Sequence, residues 1–261
     1  MRYSFSATST WWECPFKYKL RYLDKLKTKP DLRPDNPLME GTAMHEAIEK
    51  RSINEGINNY KSNFPVLTKD HDIEIYKMEQ LMKKAIEQIP EGEYEYKLIT
   101  DDFIGYIDGL VKVEEGVYDL YDFKFTASSP SKYLKSGQIH LYKYYYEHLT
   151  GNKIRDMYYA IVPKCTEKLT EDLSEEDLKE KINKWMSKKD IQFLKVNYDE
   201  KQVRWFFARK ALIEKATSFE KRYSLTCRWC EYAKYCKTNG KDRSELLEEV
   251  IEPVVEEVQL F

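Results

Sequence analysis

The stretches 105-GYIDGLV-111 and 118-YDLYDFKFT-126 decide how this chain folds. Each alternates apolar and polar residues as a half-buried β-strand does. Residues two apart on a strand share a face. Asp122 and Lys124 therefore project together, while Tyr121, Phe123 and Phe125 point the other way. If the two runs pair, Asp108 comes within one metal ion's reach of Asp122. A carboxylate pair with an ammonium beside it, fixed on a sheet, suits metal-assisted phosphodiester hydrolysis. The bland reading is the solvent face of an antiparallel hairpin, where Asp and Lys are common. On the Asp-x-Lys alone the bland reading is favoured, so the rest of the chain has to decide.

Three further patterns bear on it. In 41-GTAMHEAIEK-50, which reads as the start of a helix, His45 and Glu49 lie four apart on one face. A neutral imidazole is a good ligand for a divalent ion, although a lone helical His is more often structural. In 136-SGQIHLYKYYYEHL-149, Gln138 and Tyr142 share a face by the same spacing. The five cysteines are Cys14, Cys165, Cys227, Cys230 and Cys236. The last three, in 227-CRWCEYAKYC-236, are close enough for their thiolates to converge on one centre. Cys14 is the candidate for a fourth ligand, and Cys165 reads as an ordinary thiol. Four thiolates suit structural zinc or an iron–sulfur cluster. Disulfides need an oxidising compartment, and Cys-x2-Cys in a cytosolic protein points to metal.

Taken in order, these runs resemble the PD-(D/E)XK nuclease superfamily. Within it they resemble the RecB-like iron–sulfur branch, which includes the CRISPR-associated exonuclease family and the nuclease domain of the AddB helicase subunit. The similarity spans roughly residues 5 to 236. It rests on Gly41 to His45, on Asp108, on Asp122 with Lys124, on Gln138 with Tyr142, and on the split cysteine set. The resemblance implies a DNA exonuclease acting on single strands or ends. His45, Asp108, Asp122 and the carbonyl of Phe123 would hold Mg²⁺ or Mn²⁺. Lys124 would be the catalytic lysine, with Gln138 and Tyr142 touching DNA and bracing it. Cys14, Cys227, Cys230 and Cys236 would carry a [4Fe-4S] cluster, in preference to zinc. Glu49 is a weaker candidate for a second metal. Two other functions stay open: a nuclease-fold DNA-binding adaptor of a recombination, replication or spacer-acquisition complex, and a zinc-stapled interaction protein.

The expected fold class is α/β, a restriction-endonuclease-like mixed sheet flanked by helices. Strands are expected over 94–100, 103–113, 117–126, 154–163 and 191–196. Helices are expected over 71–89, 136–149, 173–189 and 199–216. A helical N-terminal segment runs from about Ser9 to Leu26, interrupted near Pro15, and joins the C-terminal segment at the four-cysteine cluster. Residues 1–240 read as one nuclease domain, with cluster segments at 1–29 and 220–240. Residues 241–261 read as an acidic tail.

At 261 residues with nine Gly and nine Pro, the chain can bury a real core and is not disordered. Its net charge of −2 seems to exclude a nucleic-acid binder. The charge is unevenly spread, however. Residues 244–261 hold six Glu and no Lys or Arg, whereas residues 1–29 hold seven Lys or Arg against two acids. Within the latter, 16-FKYKLRYLDKLKTK-29 interleaves aromatics with cations, as a phosphate-tracking segment does. Trp11, Trp12 and Trp229 are assigned first to packing around the metal site and second to stacking on DNA. The last residues, Glu257 to Phe261, resemble a sliding-clamp-binding peptide, and a helicase or recombination partner fits the same reading. No signal peptide opens the chain and no run approaches a membrane span, so a bacterial or phage-encoded cytoplasmic protein is expected.

Overall fold

A computed structural model describes residues 2–247. The chain forms two compact units, Met1–Thr8 with Asp31–Glu214, and Ser9–Pro30 with Lys215–Phe261. No helix among the described residues is long and apolar enough to cross a membrane.

In chain order the helices are α1 (Phe5–Glu13), α2 (Pro15–Tyr18), α3 (Pro37–Glu49), α4 (Ile53–Ser62), α5 (Lys69–Gln88), α6 (Gln138–Thr150), α7 (Glu175–Met186), α8 (Glu200–Glu214) and α9 (Ala233–Lys237). The strands are β1 (Glu93–Ile99), β2 (Ile104–Glu114), β3 (Val117–Thr126), β4 (Lys153–Pro163) and β5 (Gln192–Val196). They form one mixed sheet in the order β1-β2-β3-β4-β5. Only β3 and β4 are parallel, and the crossover between them contains α6. This is the α/β architecture expected.

Alternation along β3 separates two worlds. Tyr121 and Phe123 join Ala160 and Val162 of β4 in a core completed by α3, α4, α5 and α7. Asp122 and Lys124 face the opposite way, and α6 packs against β1 to β4. Helix α3 is started by Asn36, whose carbonyl oxygen accepts from the N–H groups of Leu38 and Met39, with Pro37 at the first helical position. Helix α4 was not expected. Ser52 caps it, but only Gly56, Ile57 and Tyr60 are buried along it, too thin an apolar stripe to read. Gly56 is needed there, because a Cβ would lie 2.6 Å from Ala47 Cβ and 2.7 Å from the Ala43 carbonyl.

The second unit has a much smaller core. Leu20, Tyr232 and Leu246 are buried together, with Phe16, Leu26, Cys230 and Tyr235 packed around them. The break expected near Pro15 is a helix start. Cys14 caps α2, its sulfur accepting from the Lys17 N–H, and a π-helical turn Lys19–Leu23 follows. Residues 241–247, assigned above to the tail, belong to this unit. Thr28 bridges to Leu246, Lys29 donates to the Glu245 carbonyl, and Leu246 is buried. The remainder of the acidic tail and the clamp-like residues Glu257 to Phe261 lie outside the described residues.

Candidate active site

The site is built where a β-ladder stops. Pairing of β2 with β3 runs from Glu114↔Val117 to Gly109↔Tyr121. At the next step Asp108 Oδ2 accepts from the Phe123 N–H at 2.6 Å, so a carboxylate takes the place of a carbonyl. On the other side the β1–β2 register passes from Tyr94↔Gly109 to Tyr96↔Ile107, skipping Glu95 opposite Asp108. Glu95 sits at φ 51°, a left-handed conformation that a non-glycine residue in a strand rarely takes. Backbone strain of this kind concentrates at functional sites.

The turned backbone leaves three ligating side chains together. His45 Nδ1 lies 3.8 Å from Asp108 Oδ1 and 3.9 Å from Glu95 Oε1. One ligand atom from each of His45, Glu95 and Asp108 lies within 4.8 Å of the other two. The other imidazole nitrogen, Nε2, is 3.2 Å from the Phe123 carbonyl. That carbonyl, expected as a metal ligand, is therefore placed against the far side of His45. Nothing in the composition of 94-YEYKLIT-100 marks Glu95, because its alternation is that of any strand and its φ is invisible in sequence.

Asp122 is fully buried, and its oxygens have no hydrogen-bond donor other than the ammonium of Lys124, with which it is ion-paired. Burial pushes the Asp108 carboxyl up to about 6, an effect that His45 reduces and Asp122 adds to. For Lys124 burial acts downward, but Asp122 and Asp108 outweigh it and hold the ammonium firmly protonated. His45 behaves likewise. Burial disfavours its charge, and Asp108 and Glu95 more than restore it. Excess buried negative charge of this kind is what a cation site looks like without its cation.

Helix α6 supplies the opposite wall. Gln138 Nε2 donates to Tyr142 Oη at 2.8 Å, and both belong to the first two turns. The Tyr142 ring lies so close to Gly105 of β2 that a Cβ there would meet it at 2.8 Å. Burial, then the charges of Asp122 and Asp108, raise the Tyr142 phenol, so it stays a neutral donor. Tyr159, opposite Asp122 in the β3–β4 register, places its ring 5.9 Å from Lys124 Nζ. It too escaped the sequence reading, since its position depends on a parallel register set by a distant crossover. The cleft in front of these groups has a volume of about 560 Å³ and is lined by Gly41, Thr42, His45, Glu46, Glu49, Glu95, Phe123 and Lys124, among others. A Cβ on Gly41 would meet nothing within 4 Å, so this glycine keeps the cleft open rather than serving the core. Glu49 pairs with Lys50 at its edge.

In the second unit Cys14, Cys227, Cys230 and Cys236 all line one cavity of about 90 Å³. The sulfur of Cys14 accepts from the Lys17 N–H at 3.5 Å and that of Cys227 from the Ser224 N–H at 3.4 Å. Burial, then mainly neighbouring charged groups, push the Cys230 and Cys236 thiols up. Cys165 is buried in the core of the other unit, away from this set. Trp229 does not pack around the cavity as expected. It ends the 3₁₀ turn Leu225–Trp229 and is 79% exposed.

Comparison with known proteins agrees with the geometry. No curated protein matches the chain in sequence. A crystal structure from Eubacterium rectale, described as a "putative exonuclease", aligns over 90% of this chain and 87% of its own, with a TM-score of 0.59 and 11% identity. The crystal structure of SSO0001 aligns over 88% of this chain and 84% of its own, with a TM-score of 0.39 and 11% identity. The family model of the PD-(D/E)XK nuclease superfamily matches residues 2–237. With nearly the whole fold matched and a cation-binding cleft at the lapse in its sheet, the chain belongs to the PD-(D/E)XK nuclease superfamily.

Proposed function

We propose that this protein is a Mg²⁺- or Mn²⁺-dependent DNA exonuclease acting on single strands or ends, with a structural [4Fe-4S] cluster in the cysteine cavity. One observation carries the first part: His45, Glu95 and Asp108 converge beside the buried Asp122–Lys124 pair. Four oxygen or imidazole donors of this type suit a hard divalent ion. Bound there, the ion would polarise the scissile phosphate and make a coordinated water more acidic.

The residues divide the remaining work. With Nε2 protonated and donating to the Phe123 carbonyl, His45 presents the Nδ1 lone pair towards Asp108 and Glu95. Lys124, held protonated by Asp122, stabilises the negative charge that develops on phosphorus oxygens and positions the attacking water. Tyr142, oriented by Gln138, donates to a phosphate oxygen, and the open backbone at Gly41 admits the strand. The 118–126 strand keeps all of these on a rigid support.

The cysteine cavity fits a multinuclear centre better than one zinc ion. Tetrahedral Zn–S bonds of about 2.3 Å would draw the sulfurs to about 3.8 Å apart. Among the described residues no three of these sulfurs lie within 4.8 Å of one another. The N–H groups of Lys17 and Ser224 aimed at sulfur are the usual support for cluster thiolates. Cluster, clasp and clamp contact are separable from the nuclease reading, and an adaptor without activity would have been free to lose Lys124.

The test is degradation of an end-labelled single strand with and without Mn²⁺, using the native protein and Lys124→Ala. The native protein should degrade the strand only with the ion, and Lys124→Ala should be slower by about 10² to 10³ or more, by analogy with loss of one transition-state donor. Full activity in the variant would remove the mechanism.

A further inference from the structure

Beside the thiol cavity the cysteine unit exposes aromatic side chains that its own core does not use. Tyr223 is 73% exposed and Trp229 79%, with Leu225 at 75% between them. Large apolar side chains this bare, gathered in one short segment, mark a contact surface. They are not on a loose loop. Ser224 caps the 3₁₀ turn, Cys227 N–H donates to the Ser224 carbonyl, and Cys230 N–H to the Cys227 carbonyl.

The charge around them selects the kind of partner. Residues 9–30 and 215–247 hold 14 Lys or Arg against six Asp or Glu. Arg222 and Arg228 are exposed within the same segment. Arg222 already lies over the Trp12 ring at 5.8 Å and donates to the Trp12 carbonyl, so a cation and an indole face are held together at the surface. Flat aromatic faces interleaved with fixed cations suit a polyanion that offers flat faces of its own. A duplex keeps its bases stacked on one another, whereas a single strand presents them.

We propose that Tyr223 and Trp229 form a base-stacking platform for single-stranded nucleic acid on the cysteine unit, with Arg222 and Arg228 against its phosphates. The proposal deepens the nuclease reading and rests on it for the choice of polymer. Because Trp229 lies between Cys227 and Cys230, whatever holds those thiols also fixes the platform.

The test is fluorescence anisotropy with a labelled oligo-dT, using full-length holoprotein with Ca²⁺ in place of Mn²⁺. Trp229→Ala, Tyr223→Ala, the double variant and Trp229→Phe are compared with the native protein, and an abasic strand of equal length is the second ligand. Trp229→Ala should weaken oligo-dT binding about tenfold or more, and Trp229→Phe should keep most of it. The native protein should bind the abasic strand about as weakly as Trp229→Ala binds oligo-dT. Equal affinity of native and double variant for oligo-dT, or of the native protein for the two strands, overturns the platform and assigns the patch to a protein. Hydrolysis of a small chromogenic phosphodiester with Mn²⁺ should be the same in all variants, which also checks their folding. If the native protein fails that hydrolysis, the nuclease reading falls while the affinities still judge the platform.

Discussion

The two units of this chain solve opposite problems. The catalytic unit buries a core of 23 residues around one face of its sheet, while the cysteine unit buries three. The first carries 29 basic and 34 acidic residues, and the described part of the second carries 14 and six. A large core can hold an energetically costly site, with Asp122 buried and Glu95 strained, because packing elsewhere offsets it. A three-residue core cannot stand alone and needs a covalent or metal staple. The comparison teaches where each inorganic group belongs: a substrate-handling cation in the rigid unit, a load-sharing centre in the small one.

The largest expected effect breaks the small unit. Cys230→Ser should remove absorbance near ~400 nm, a band typical of cluster-bound thiolate. It should also open residues 215–247 to limited proteolysis, because metal binding free energy is folding free energy in such units. Hydrolysis of a small phosphodiester should survive. A colourless native protein with an unchanged proteolytic pattern in the variant would deny the clasp. Next comes Glu95→Gln, which keeps shape and removes charge. Mn²⁺ affinity measured by calorimetry should fall by about tenfold to a hundredfold, the usual cost of losing a group that supports a metal. An unchanged affinity would return Glu95 to an ordinary strand position.

Two glycines sharpen the same contrast within the catalytic unit. Gly56→Ala forces a methyl group into Ala47 and the Ala43 carbonyl and should cost about 1–3 kcal/mol in denaturant melts. Gly41→Ala meets open space and gains up to about 1 kcal/mol of helix propensity, yet it should slow DNA cleavage by narrowing the cleft. The smallest effect is on pH. The Asp108 carboxyl is raised to about 6 from an ordinary 3.8, so the folded, cation-free protein keeps a proton that the unfolded chain releases. That group's contribution is fully present below about pH 4 and is lost as pH rises towards 6. A bound divalent ion cancels the loss, so the rise in Tm on adding Mn²⁺ should be larger at pH 7 than at pH 5. A rise that does not change with pH would deny that Asp108 faces the ion.

Much of this was legible from residues alone, and the gaps have physical causes. Strands β2 and β3 could be read because one face is buried, which enforces alternation. His45, Gln138 and Tyr142 could be read because helical spacing fixes which residues share a face. Glu95 could not, since its role depends on a backbone rotation in a strand of ordinary composition. Tyr159 could not, since parallel register is set by the α6 crossover rather than locally. Helix α4 hid behind a polar stripe, and Trp229 was misassigned because an apolar residue is expected inside unless a surface has use for it.

The most direct test is anomalous diffraction from crystals soaked in Mn²⁺. A peak should lie within about 2.0–2.3 Å of His45 Nδ1 and of Glu95 and Asp108 oxygens, bordering Asp122. Mn²⁺-dependent cleavage by the same preparation, with no ion between those three residues, would contradict the account.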